Sequence, residues 1–414
     1  MSADEMRERL QAAADDLVAS GAEAGLQVAV TRHGRMVADV TAGRAATHHG
    51  HGGPTSTRHG HGGPADTRHG DGSPAGARRG DGSSASARRE SPVESSTLFY
   101  AASTAKGVAS AVAHVLVERG ELAYDLRVAE VWPEFGVHGK DGVTLRHILL
   151  HTAGVPAPPY DTTVEDLCDW EHMCAVLAKA EPWWKPGTRF GYHAQTFGFL
   201  LGETVRRATG RTLSWWLREA VTRPLGVEDE VHFGVPEPLL DRVALQEPPI
   251  GPPPAEPEPG SPADRAIPPG IRSDAAYANR ADVLSADVYA AGTMTARGVA
   301  RVYAALLGDV EGVRLVSPAR LGAMAAVQYE GMDEVMGFPT TWAFGFSTYR
   351  PGDGAARSGS TFGMVGMNDS AAYADIDSGV AVAVMRNRFG GGLEALSRIG
   401  RIVNDAFPSR GHSG

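Results

Sequence analysis

Apolar residues recur at helical spacing over residues 5–20, where Leu10, Ala13, Leu17 and Val18 share one face, and this predicts an amphipathic helix. The period then changes. Two short apolar runs, 26–31 and 36–41, flank Arg32-His33-Gly34-Arg35 and predict a β-hairpin. From Ser103 to Arg119 the helical spacing returns through Val108, Ala109, Val112, Val115 and Leu116, and Gly120 is placed to stop the helix. Further helical patterns cover 144–151, 164–179, 196–209, 213–220, 296–307 and 317–327. The tail then turns strand-like over 342–349, 370–375 and 380–386, read as consecutive antiparallel strands, before a closing helix at 392–406. Strands at both ends with helices between predict an α/β (α+β) domain built from residues 1–128 and 296–414. A mainly helical domain, 129–295, is inserted into it.

Two segments break this pattern. Residues 51–90 repeat a ten-residue unit four times, as HGGPTSTRHG, HGGPADTRHG, DGSPAGARRG and DGSSASARRE. Large apolar side chains are almost absent there, so the segment cannot offset its own ordering entropy. The expectation is a disordered insertion over 44–94 that grew by tandem duplication and serves as a tolerated surface loop. Its histidines, His48, His49, His51, His59, His61 and His69, offer at most weak metal binding. Residues 247–270 are Pro-rich and predict an extended loop.

Charge and composition narrow the function. Lys plus Arg number 39 against 49 Asp plus Glu, a net charge of −10, which disfavours nucleic acid as a partner. Cys168 and Cys174 cannot build a disulfide framework. No apolar run approaches the ~20 residues of a membrane span, and the acidic N-terminus lacks an apolar signal segment. A cytoplasmic protein is expected. The chain has no Walker A, G-x-G-x-x-G, HExxH or G-x-S-x-G element, so nucleotide-binding, zincin and α/β-hydrolase readings lose their usual support. No cofactor and no metal are expected.

What remains is a candidate for serine chemistry. Ser103-Thr104-Ala105-Lys106 opens the helix of 103–119, and positions i and i+3 lie on one helix face, so hydroxyl and amine can meet. A serine hydroxyl needs an adjacent base, and a lysine serves if burial keeps it neutral. A lone S-x-x-K is weak evidence, since Ser103 is equally suited to capping the helix. Tyr192, in a loop running into the helix of 196–209, can project its phenol into the same cleft. Arg357-Ser358-Gly359, followed by Ser360, offers a cation, hydroxyls and a glycine for the other wall. The three elements match S-x-x-K, Y-x-N and K-T-G in kind and order.

With TLFYAASTAKG (97–107), GELAYDLRVAEVWPEFG (120–136), VTLRHILLHTAGVP (143–156), PGTRFGYHAQTFGFLLGE (186–203), RPLGV (223–227) and SGVAVAVMRNRF (378–389), the chain resembles the serine β-lactamase-like superfamily. The likeness is to the class C β-lactamase and family VIII carboxylesterase branch, and it covers nearly the whole chain outside the two interruptions. It implies a β-lactamase/transpeptidase-like fold, an antiparallel sheet flanked by helices with an inserted helical domain. It also implies Ser103 as nucleophile, Lys106 as its activator and Tyr192 as general base and then acid. The backbone N–H groups of Ser103 and Ser360 would form the oxyanion hole. Arg357 would lower the Tyr192 pKa, Ser358 would contact substrate and Gly359 would allow close approach.

Two departures qualify this. Ala194 stands where the Y-x-N element has Asn, whose side chain contacts the substrate amide in β-lactamases and peptidoglycan enzymes. Arg357 replaces the usual Lys or His, and its planar fork suits a carboxylate-bearing substrate as well as it suits a plain fixed charge. The expected activity is therefore a carboxylesterase acting on a small ester through a Ser103 acyl-enzyme. The alternatives are an acyltransferase using an amine or alcohol acceptor, a β-lactamase or D-aminopeptidase, and a catalytically silent binding protein. His193, beside Tyr192, is a candidate to touch substrate or to pack against backbone, and Trp342 is a candidate pocket residue. Trp183, Trp184, Trp215 and Trp216 read as core, and His147 with His151 lack a third metal ligand.

Overall fold

The computed structural model describes residues 1–47, 90–251, 255–352, 359–390 and 392–409. The ten-residue repeats lie almost entirely outside the described residues, as do Arg357 and Ser358. Among the described residues no helix is long and apolar enough to cross a membrane.

The strands are β1 (Gly25–Arg32), β2 (Arg35–Ala46), β3 (Glu90–Pro92), β4 (Leu98–Tyr100), β5 (Val231–His232), β6 (Val243–Ala244) and β7 (Thr293–Met294). The C-terminal part adds β8 (Tyr329–Met332), β9 (Pro339–Ala343), β10 (Phe346–Ser347), β11 (Thr361–Val365), β12 (Ala371–Asp375) and β13 (Val380–Arg386). Nine of them form one antiparallel sheet in the order β3-β2-β1-β13-β12-β11-β10-β9-β8. The β1–β13 pairing, Val28 opposite Val384, joins the two ends of the chain. Alternation explains how this sheet is sandwiched. Val28, Val30, Val382 and Val384 pack under the terminal helices Ala3–Ala19 and Glu394–Ala406. The intervening Ala29, Ala381 and Ala383 face the opposite cluster, which holds the helices Thr104–Glu118 and Ala296–Leu307. Small side chains on that face let the helices approach closely.

Most of the expected elements are present, with four differences. The ends of the repeat-bearing insertion are ordered, since Arg44–Ala46 pairs with β3. The strand expected over 342–349 is broken into β9 and β10 by a turn at Gly345. Inside the Pro-rich segment, the Ser261 side chain caps a short helix, Pro262–Ala266, with Pro262 in its first turn, where a missing N–H costs nothing. A second sheet, β5-β7-β4-β6, includes a parallel β4–β6 pair. It stands directly before the serine-bearing helix.

Candidate active site

Ser103 immediately precedes the helix Thr104–Glu118, but its side chain does not cap it. Ala102 just before it has φ +44°, a left-handed conformation that costs a non-glycine residue about 1–3 kcal/mol. Tertiary bonds hold that turn. Ala101 N donates to Gly292 O at 2.8 Å, and Thr104 Oγ1 donates to Ser370 O at 2.8 Å. The i, i+3 geometry expected from the sequence is present. Lys106 Nζ donates to Ser103 Oγ at 3.0 Å and to Ala290 O at 2.8 Å. Lys106 is 1% exposed, and burial lowers its amine from 10.5 to about 7. A neutral amine is thus available to take the Ser103 proton at neutral pH.

Tyr192 is the third member. Its hydroxyl hydrogen-bonds the Ser103 side chain, and Lys106 Nζ lies 5.4 Å from its ring centroid. Burial drives the phenol well above its ordinary range, and the nearby Asp333 carboxylate adds to that. Tyr192 is therefore a protonated phenol, a proton donor rather than a resting phenolate. The structure supplies no ground for the general-base role that the family resemblance implies for Tyr192.

The loop carrying Tyr192 is fixed from several sides. Asp333, buried between β8 and β9, accepts from the backbone N–H of Tyr192 (3.1 Å), Val335 (2.9 Å) and Met336 (3.0 Å). His193 accepts at Nε2 from Val155 N (3.1 Å), so Nδ1 carries the proton and donates to Gly191 O (2.6 Å). Burial lowers its pKa to about 4, which keeps it neutral. Both ring nitrogens are committed to backbone, so His193 is a loop clamp and not a substrate ligand. Trp342 is also reassigned. It donates Nε1–H to Leu149 O (3.2 Å) and packs with Phe190 and Met364 behind the Tyr192 ring. His151, buried with φ +53°, accepts from His193 N and lies 4.8 Å from the Tyr192 ring.

The opposite wall is β11, and here the expectation from the sequence is corrected. Gly359 and Ser360 sit at the start of the strand, where Ser360 Oγ bonds Asp375 and Ser409. Thr361 pairs with Asp375 and Val365 with Ala371, so the strand runs from that cluster toward Ser103. Six residues of extended chain separate Ser360 from Gly366, about 20 Å. Ser360 therefore cannot share an oxyanion hole with Ser103. The residues that lie against the serine turn and the start of its helix are Gly366, beside Ala101 and Ala102, and Met364, beside Gly107. A Cβ on Gly366 would lie 2.6 Å from Ala101 O and 3.2 Å from Ala102 Cβ, so only glycine fits. A Cβ on Gly107, one residue after Lys106, would meet Met364 Cβ at 3.2 Å. Among the described residues, neither the Ser103 nor the Met367 amide donates to a backbone acceptor. From Thr361 to Met367 the chain carries no cationic side chain.

Sequence reasoning also missed Asp333 and β11 itself. The signal for β11 was the apolar run Phe362 to Val365 ending in a glycine just before β12. Asp333 has no local signature.

The β-lactamase family model matches residues 10–406. Esterase/beta-lactamase LipL of Mycobacterium tuberculosis is 31% identical over 311 residues, 69% of this chain and 68% of that protein. Among solved structures, a family VIII carboxylesterase superposes with a TM-score of 0.78 at 27% identity, covering 97% of this chain and 98% of that one. A penicillin-binding protein homologue from Caulobacter crescentus gives 0.77 at 30% identity, covering 97% and 96%.

Proposed function

Because the chain belongs to the β-lactamase family and is a serine hydrolase of that fold, we propose that it is a carboxylesterase cleaving small neutral esters through an acyl-enzyme on Ser103. The observation that carries this reading is the buried Lys106 amine bonded to the Ser103 hydroxyl. As Ser103 Oγ attacks the ester carbonyl, its proton passes to Lys106 and the carbonyl electrons move onto oxygen. We assign the oxyanion hole to the backbone amides of Ser103 and of Met367, the residue after the Gly366 that lies against Ala101, each such donor being worth about 3–4 kcal/mol. When the C–O bond breaks, the Tyr192 phenol gives its proton to the leaving alkoxide, and Lys106 returns one to Tyr192. Water then attacks the acyl-enzyme with Lys106 again taking the proton, and Ser103 is regenerated. Tyr192 enters as an acid, which its elevated pKa favours, and Lys106 as the base.

Two features favour a neutral ester over a β-lactam or a peptide carboxylate. Ala194 offers no side-chain amide beside Tyr192, and the wall from Thr361 to Met367 is uncharged. Small-molecule donors with an alcohol or amine acceptor are the second reading, since an acyl-enzyme transfers to whichever nucleophile reaches it. One solved relative of the fold, at 20% identity, is a hydrolase with promiscuous acyltransferase activity. The free thiols of Cys168 and Cys174 support a reducing, cytoplasmic setting.

The test is hydrolysis of p-nitrophenyl butyrate by the wild type and Ser103→Ala, with and without alcohols and amines. Turnover lost in Ser103→Ala is expected. Turnover that survives the substitution overturns the proposal, as does faster cleavage of a chromogenic cephalosporin than of any ester. A burst that turns over only with an acceptor moves the enzyme to the transferases.

A further inference from the structure

Residues 366–370 join β11 to β12 in a tight turn. Gly366 N donates to Ser370 O at 2.8 Å, and Asp369 N donates to Gly366 O at 2.9 Å. Asp369 takes φ +60° to close it. Neighbouring side chains leave this turn on opposite sides. Met367 is 51% exposed, whereas Asn368 is fully buried. The local bonds fix the shape of the turn but not its distance from Ser103.

Among the described residues, two hydrogen bonds fix that distance, and they straddle the nucleophile. Thr104 Oγ1, one residue after Ser103, donates to Ser370 O at 2.8 Å. Asn368 Nδ2 donates at 2.7 Å to Tyr100 O, three residues before Ser103. A carbonyl can only accept, so Tyr100 O determines which end of the carboxamide is the amine. The amine also bonds Ser370 Oγ at 3.2 Å, and Asn368 Oδ1 accepts from Ser370 N at 3.4 Å. A Cβ on Gly366 would lie 2.8 Å from Asn368 Oδ1, so the glycine that admits Ala101 also admits this carboxamide. An apolar side chain would fill the same buried corner with no polar group to desolvate. What a carboxamide adds is its bonds, and the shortest of them crosses to the serine turn.

We propose that Asn368 is a positioning residue for the reaction, whose bond to Tyr100 O holds the Met367 amide in register with the Ser103 amide. It touches no substrate. The proposal rests on the acyl-enzyme reading of Ser103 and on the oxyanion hole assigned above, and it names the side chain that sets the width of that hole. An oxyanion donor acts over a narrow range of distance, and a displacement of about 1 Å costs about 10²-fold in rate.

The test uses p-nitrophenyl butyrate and an alkyl trifluoromethyl ketone, whose hemiketal with Ser103 carries an oxyanion. Asn368→Leu keeps the size of the side chain and removes its bonds. The oxyanion forms in both acylation and deacylation, so kcat is expected to fall about ten- to hundredfold with KM within about twofold. The inhibition constant of the ketone should rise by the factor by which kcat/KM falls. The rise of activity through pH 7 should stay in place, because Lys106 keeps its bonds. Asn368→Ala carries the test if the leucine variant does not fold. A kcat/KM within about threefold of the wild type in a folded variant overturns the role of Asn368. So does a loss that moves KM or the pH profile instead, or one that the ketone does not follow. Fluorophosphonate labelling of the wild type separates the two levels. A labelled Ser103 with unaffected Asn368 variants removes only this inference, whereas no labelling removes the esterase reading beneath it.

Discussion

Replacing Lys106 by methionine removes a buried amine while keeping an unbranched side chain of similar length. Burial lowers the amine from 10.5 to about 7, and a gap of that size corresponds to about 5 kcal/mol between the folded and unfolded chains. Below pH 7 the lysine is charged in both states, and the fold bears the whole cost. Between about 7 and 10.5 the unfolded chain holds the proton and the folded chain does not. The unfolding free energy then rises with pH by about 1.4 kcal/mol per unit from this group alone. Above 10.5 both states are neutral and the cost is gone. Methionine titrates nowhere in this window. It forfeits the bonds to Ser103 Oγ and Ala290 O, about 1 kcal/mol each and independent of pH here. The variant should therefore be inactive, yet more stable than the wild type at pH 7. Its advantage should shrink by about 3 kcal/mol between pH 7 and 9.5. Urea unfolding of both proteins, followed by tryptophan fluorescence across that range, measures the change. An advantage that stays constant with pH would refute the claim that the site holds a desolvated, readily neutralised lysine.

The same lysine sets the pH profile of catalysis. The value of kcat/KM for an ester should rise with pH through about 7 as Lys106 loses its proton, and a limb at the ordinary lysine value would contradict the assignment. Tyr192→Phe keeps the ring beside His151 and Trp342 but removes the proton donor. A loss of kcat of about 10²–10⁴-fold is expected, and a loss under tenfold would exclude the phenol from proton transfer. Gly366→Val places a Cβ against Ala101 O and should abolish ester turnover. Ser360→Ala, at the far end of β11, should change kcat/KM by less than twofold, and the opposite pattern would restore Ser360 to the site.

Local spacing made half of this site legible. Ser103 and Lys106 lie three apart on a helix, and that geometry follows from the backbone whatever surrounds it. The hairpin, the terminal helices and β13 were visible because burial on one or both faces imposes a clear period. The third wall was not visible. Arg357-Ser358-Gly359 has the composition of a catalytic strand, whereas β11 contains Gly363 and ends in Met-Val-Gly. Only its antiparallel register with β12 reveals which glycine meets Ala101. Asp333 was hidden for a different reason, since the N–H it accepts from belongs to Tyr192, 141 residues away. His193 is next to Tyr192 in the sequence, whereas Trp342 reads there only as a candidate pocket residue. Their tertiary partners, Val155, Gly191 and Leu149, commit them to backbone rather than substrate.

The central claim is that Ser103 is a nucleophile activated by Lys106. Its most direct test is peptide mass spectrometry after reaction with a fluorophosphonate. A single adduct on the peptide containing Ser103 is expected, absent in Ser103→Ala and formed far more slowly in Lys106→Met. No adduct on the folded wild type, or an adduct on another serine that persists in Ser103→Ala, would contradict the account.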